Sequence, residues 1–147
     1  MCMEDSTPIG RNIERRCILL SGRGWLYLVQ WRLQGRTLVA SIAGEFDLNI
    51  ADRVRGALDT AIDANPEVRR MIVDMGSVSF IDSSGAGVLF GRHKRLAARG
   101  GGLVIANPSL QVRRALDLLG AGQLMQVFDT VERALSGLGE VSTWKGR

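Results

Sequence analysis

The stretch of this 147-residue chain best suited to chemistry is Asp82-Ser83-Ser84-Gly85. It follows a buried strand and a loop, and a helical period begins within it, so both hydroxyls fall at a helix N-terminus. Backbone N–H groups there lack intrahelical partners, and the aligned peptide dipoles place partial positive charge at that end. A phosphoryl group on such a serine is locally accommodated. Asp and Ser are also favoured at N-caps on structural grounds, so the tetrapeptide taken alone reads as a plain cap. Other chemistries lack their residues. A hydrolase elbow needs Gly-x-Ser-x-Gly and a histidine later in the chain. Here Asp82 stands two before Ser84, and the single histidine, His93, lies on the same helix. The two cysteines, Cys2 and Cys17, have neither metal-ligand nor redox spacing. Gly100-Gly101-Gly102 ends a helix and precedes a strand, so it is no Walker-type phosphate loop. The expectation is a protein that is not an enzyme and carries no metal or cofactor.

The helix that follows gives the serine a context. With successive residues about 100° apart, Ala86, Leu89, Phe90, His93, Leu96 and Ala97 gather on one side, the expected core face. Ser84, Gly87, Gly91, Arg95 and Ala98 gather on the other. Glycine inside a helix costs about 1 kcal/mol relative to alanine, so two on one line need a reason. Either another backbone approaches closely, or the glycines relieve crowding against a neighbouring loop. The pattern leaves both open. Ser83 reads as the N-cap or as a helix-to-loop hydrogen-bonding residue, and His93 as a core residue.

Strands and helices must position this segment. Trp25–Leu33 and Thr37–Ala43 read as strands joined by a turn at Gln34-Gly35-Arg36. Ile50, Val54, Leu58, Ala61 and Ile62 then recur at helical spacing, with Asn49 as N-cap, Asp52 three residues on, and Asn65-Pro66 as the stop. Met71-Ile72-Val73 lies in a strand buried on both faces that ends near Asp74, with a loop from Gly76. The Ser83–Arg99 helix stops at the three glycines, and Leu103–Ala106 is a buried strand. Ser109 caps a helix closed by Gly120, Leu124–Phe128 is a short strand, and Thr130 caps a last helix. The order β-β-α-β-α-β-α-β-α predicts an α/β fold with a mostly parallel central sheet, an antiparallel hairpin-like first strand and about four helices.

Residues 1–24 show no clean period and are punctuated by Pro8, Gly10, Gly22 and Gly24, so they read as a largely flexible N-terminal extension. The domain is expected over 25–139, with a C-terminal tail at 140–147. Composition is ordinary: 46% hydrophobic, 23% charged and only 5% aromatic, so aliphatic side chains must carry the core. The net charge of +4 is gathered early. Arg11, Arg15, Arg16, Arg23, Arg32 and Arg36 stand against one acid, Glu14, in that stretch. This reads as a solubilising arm, and no direct nucleic-acid partner is expected. Asp5, Arg11 and Arg15 break any early apolar run, so no signal peptide is expected. The run Trp25–Val29 is too short to span a bilayer. A cytoplasmic protein with no membrane partner follows.

Taken together, Asp82-Ser83-Ser84-Gly85-Ala86-Gly87-Val88 and Gly91-Arg92-His93-Lys94 resemble the signature of bacterial anti-sigma factor antagonists, which are stand-alone STAS domains. The resemblance extends to Gly44-Glu45-Phe46-Asp47, Ile72-Val73-Asp74 and Phe80-Ile81-Asp82, and spans about Leu26 to Leu138. It implies the STAS fold, with Ser84 as phosphoacceptor, Asp82 as its acidic neighbour and Asp47 as the acid before the first helix. It also implies an ATP-dependent anti-sigma factor serine kinase as partner, with release of a sigma factor, inactivation by phosphorylation and restoration by a PP2C-type phosphatase. A monomer or weak dimer is expected. The docking surface would comprise Asp47, Asp82, Ser83, Ser84, Gly85, Gly87, Val88, Gly91 and Arg95. The alternative within the same fold is a subunit of a lipid-transport ATPase complex or a signalling scaffold. The intact hydroxyl and Gly91–Lys94 favour the sigma pathway. The extension to Gly24 departs from the compact family pattern.

Overall fold

The computed structural model describes the backbone of residues 2–9, 12–20 and 26–140 and the side chains of residues 29–137. Among the described residues, seven strands form one sheet in sequence order: β1 (Cys2–Ile9), β2 (Asn12–Leu20), β3 (Leu26–Gln34), β4 (Thr37–Phe46), β5 (Arg70–Ile81), β6 (Gly102–Ala106) and β7 (Val127–Phe128). Each neighbouring pair among the first four is antiparallel. From β4 onward every pairing is parallel. Among the described residues, five helices connect or follow them: α1 (Leu48–Ala64), α2 (Ser83–Ala97), α3 (Leu110–Leu118), α4 (Ala121–Leu124) and α5 (Val131–Glu140). The expected order from β3 onward is the one observed, except that the single turn of α4 is an added helix that takes Leu124 and leaves the expected Leu124–Phe128 strand as Val127–Phe128.

Alternation along the strands sorts the core into two layers. Leu38, Ala40 and Ile42 of β4 meet Met71, Val73 and Met75 of β5 and Leu103 and Ile105 of β6 on one face. There they pack against Ile50, Val54, Leu58 and Ile62 of α1, Leu89 and Leu96 of α2, and Val112 and Leu116 of α3. Val39, Ile72, Val104 and Ala106 point to the other face, where α5 lays Ala134, Val131 and Leu135 against them. The central strands are therefore buried on both sides, and each fully buried aliphatic side chain contributes about 1.5–3 kcal/mol. His93 belongs to this interior, as expected. Its Nδ1 accepts the Leu103 N–H at 3.0 Å, tying α2 to β6.

Four local expectations are corrected. Residues 1–24 were expected to be largely flexible, whereas Cys2–Ile9 and Asn12–Leu20 are extended and paired, continuing the sheet beyond β3. Backbone pairing needs no apolar period, which is why sequence periodicity missed it. Gly10, Gly22, Gly24 and Trp25 lie outside the described residues, as does the tail apart from the backbone of Glu140. The strand expected to end near Asp74 continues to Ile81. It keeps pace with β4 through register shifts between Ser41 and Ala43 and between Gly44 and Glu45, so an irregular strand takes the place of the expected loop. Helix α1 begins at Leu48, two residues before its apolar period, because the N-cap is Asp47 and not Asn49: its Oδ1 accepts the Asn49 N–H at 3.0 Å. Helix α2 is capped by Asp82 and not Ser83. The caps at Ser109 and Thr130 are as expected, each hydroxyl accepting an N–H three residues on.

Candidate functional site

The parallel pairing of β4 and β5 sets Phe46 beside Ile81, so the next residues of each strand, Asp47 and Asp82, open two helices side by side. Asp82 holds the junction together. Its Oδ1 accepts the N–H groups of Ser84 (2.9 Å) and Gly85 (3.1 Å), and its Oδ2 accepts the N–H of Leu48 at the start of α1 (3.1 Å). Its own N–H donates to the Phe46 carbonyl at 3.3 Å. One carboxylate thus satisfies otherwise unpartnered donors of both helices, with the charge assistance that makes such bonds strong. Asp82 is accordingly a positioning residue whose oxygens are engaged inside the molecule.

Gly85 is buried against this junction. A Cβ there would collide with the Phe46 carbonyl oxygen and lie 3.0 Å from the Phe46 ring, so glycine lets α2 start this close to β4. Gly87 and Gly91 differ. Among the described residues a Cβ at either meets nothing within 4 Å. Of the two explanations for glycines on the outer face, crowding by a described neighbouring loop is removed.

Ser84 is half-buried and Ser83 exposed. Ser84 opens into a groove of about 270 Å³ between α1 and α2, lined on one side by Ser84, Gly87, Val88 and Arg92 and on the other by Leu48, Ala51, Asp52 and Arg55. Val88, 7% exposed, serves the core and also lines the groove. The structure therefore brings Ser84, Gly87 and Val88 into one concavity, with Asp47 and Asp82 at its helix-opening end. Arg95 does not line it. Its guanidinium donates to Asp59 at 3.0 Å and pairs with Asp63, both on α1.

Sequence reasoning missed Leu48, Arg55 and Arg92. Leu48 is 73% exposed. Its signal was available: an apolar residue off the period of the buried α1 positions. Nothing in sequence marks Arg55, because only the packing of the helices brings it opposite Ser84. The Arg92 side chain is 13% exposed, and its Nε lies 3.1 Å from Asp59 Oδ1. Burial pushes its pKa below the ordinary arginine value. Asp59 opposes that shift, and the neighbouring Arg55 and Arg95 add to it. Arg95 shifts upward, first through its hydrogen bond to Asp63. Among the described residues no group of three His, Cys, Asp or Glu side chains could hold a metal ion, and no helix is long and apolar enough to cross a membrane.

The family model of the STAS domain matches residues 29–134. An anti-sigma F factor antagonist of Paenibacillus polymyxa is 32% identical over 105 residues, covering 71% of this chain and 89% of that protein. The solved structure of the anti-sigma factor antagonist SpoIIAA in its unphosphorylated form is 31% identical, with a TM-score of 0.66, and covers 78% of this chain and 99% of that one. The phosphorylated form of the Bacillus cell fate determinant SpoIIAA is 32% identical, with a TM-score of 0.58 and coverage of 75% and 98%.

Proposed function

Because the chain belongs to the STAS domain family and is similar over 71% of its length to an anti-sigma factor antagonist, we propose that it binds an anti-sigma factor serine kinase, frees a sigma factor, and is switched off by phosphorylation at Ser84. The observation that carries this is the placement of Ser84 at the opening of α2, in a groove continuous with an unobstructed glycine face. A partner backbone can lie against Gly87 and Gly91 and bring its catalytic groups to the hydroxyl. In the transfer, the Ser84 oxygen bonds to the γ-phosphorus of ATP and the bond to the leaving ADP oxygen breaks. The hydroxyl proton passes to a base on the kinase. A PP2C-type phosphatase reverses the modification by hydrolysis. That a relative was solved in a phosphorylated form supports the same reading.

The switch is electrostatic. Phosphorylation adds roughly 1.5 to 2 negative charges where Asp47 and Asp82 already stand. Asp82 occupies the Ser84 and Gly85 amides, so these give the phosphate no free donors. Closing a partner over that dianion costs about 3 kcal/mol, a roughly hundredfold loss of affinity. The docking surface is then Ser83, Ser84, Gly87, Val88 and Gly91 with Asp47 at its edge. Gly85, Asp82 and Arg95 hold its shape. The reading places the working domain at 25–139 in the cytoplasm, with a binding role and no catalysis of its own. Incubation with ATP and the cognate kinase, followed by mass spectrometry, tests it. Phosphate is expected on Ser84, and none on Ser84→Ala; modification of another residue, with Ser84→Ala still a normal substrate, overturns the assignment.

A further inference from the structure

We infer that a phosphoryl group on Ser84 is held within its own chain by the guanidinium groups of Arg55 and Arg92, so that the modified serine fills the groove between α1 and α2. This rests on Ser84 being the phosphoacceptor and concerns what the phosphate does once there. Three observations lead to it. The helix opening has little to offer a phosphate, because Asp82 accepts the N–H groups of Ser84 and Gly85. The same groove that Ser84 enters is lined by two guanidinium groups, one from each helix, with Gly87 and Val88 between the serine and Arg92. Gly87 carries no side chain, and the space above it is open. Finally, the arginines are under-compensated. Among the described residues, Nε and Nη1 of Arg92 are out of solvent and form no hydrogen bond, although Nε sits close to Asp59. Among the described residues, Arg55 pairs with Asp52 at 3.0 Å, and the two side chains are 52% and 88% exposed.

A dianion competes readily for Arg55, because an exposed pair such as Arg55–Asp52 is weak. Arginine presents a planar fork that matches phosphate oxygens. Side chains on a helix lean toward its N-terminus, so Arg92 leans along α2 toward Ser84. The Asp47, Asp52 and Asp82 carboxylates act in the opposite sense. Of these, Asp82 is muted by the three N–H groups it accepts. The modified serine would then do two things at once: repel a partner and occupy the cavity that the partner would enter.

The test uses the full chain carrying phosphoserine at position 84, installed during translation so that no kinase is needed. The second ionisation of the phosphate is followed by phosphorus NMR against pH, in the folded chain and in urea. Pairing with guanidinium favours the dianion, so the folded chain should titrate about half a unit lower than the unfolded one, a threefold change in proton affinity. Arg55→Gln should remove most of that difference, and Arg55→Lys should restore only part. Arg92→Gln should act in the same direction. If it does not fold, because Asp59 loses one of its two arginine partners, Arg55→Gln carries the test through an exposed side chain. Equal titration in folded and unfolded chains, or a difference that Arg55→Gln leaves intact, overturns the inference. Failure of a kinase to modify Ser84 would instead count against the function proposed above and leave this titration unaffected.

Discussion

At Ser84 the deciding difference is between a hydroxyl and a charge. Ser84→Ala removes the acceptor but leaves the charge of the groove unchanged, so it should bind the kinase within about threefold of wild type and stay active when ATP is present. Ser84→Asp places one negative charge in the groove, and calorimetry should find its affinity at least tenfold weaker, about 1.4 kcal/mol. Equal binding by Ser84→Asp and wild type would remove the electrostatic switch. Asp82 has a different part. Its carboxylate accepts N–H groups from both helices, and loss of an N-cap carboxylate costs about 0.5–2 kcal/mol. Serving two helices puts Asp82→Ala at the upper end, near 2 kcal/mol. Denaturant unfolding at neutral pH reads that loss, and an unchanged midpoint would mean that the junction holds itself together without this side chain.

At the scale of elements, the pair α1–α2 forms the functional unit. Asp59 of α1 lies at the centre of its polar seam, facing both Arg92 and Arg95. Asp59→Asn should cost about 1–3 kcal/mol, because it leaves the largely buried Arg92 without its counter-charge. Asp63, which pairs with Arg95 from a more exposed position, should matter by less than about 1 kcal/mol. The outer face of α2 allows stability and binding to be separated. Gly87→Ala places a methyl group in open space and improves helix propensity, so thermal unfolding should show a gain of up to about 1 kcal/mol. The same methyl group stands where a partner backbone would approach, so kinase affinity should fall. A variant that is more stable and binds as well as wild type would show that the glycine line has no part in docking.

Across the whole molecule, the site sits at one end of a sheet whose central strands are buried on both faces. Interiors of that packing density do not shift for a single surface charge. Phosphorylation should therefore act locally. Hydrogen exchange in β4, β5 and β6 is expected to be the same in both forms, with changes confined to the start of α1, the start of α2 and the groove. Altered protection in α5, which covers the opposite face, would require a rearrangement that this account does not contain.

The order of strands and helices from β3 onward, the apolar faces of α1 and α2, the caps at Ser109 and Thr130 and the inward position of His93 were legible in the chain. All follow from local period and local hydrogen bonding, which a sequence records residue by residue. The Asp-Ser-Ser-Gly segment was legible for the same reason, since its chemistry depends on where one helix begins. Three things were settled only by folding. β5 runs on to Ile81 because β4 pairs with it through two register shifts, and pairing is a relation between distant segments. Asp82 and not Ser83 caps α2, and it also serves Leu48, because the parallel register of β4 and β5 brings two helix openings to one carboxylate. The groove that sets Arg55 opposite Ser84 exists only when α1 and α2 pack side by side. Period and capping are short-range and can be read along the chain, whereas a concave site assembled from two helices is a product of tertiary packing.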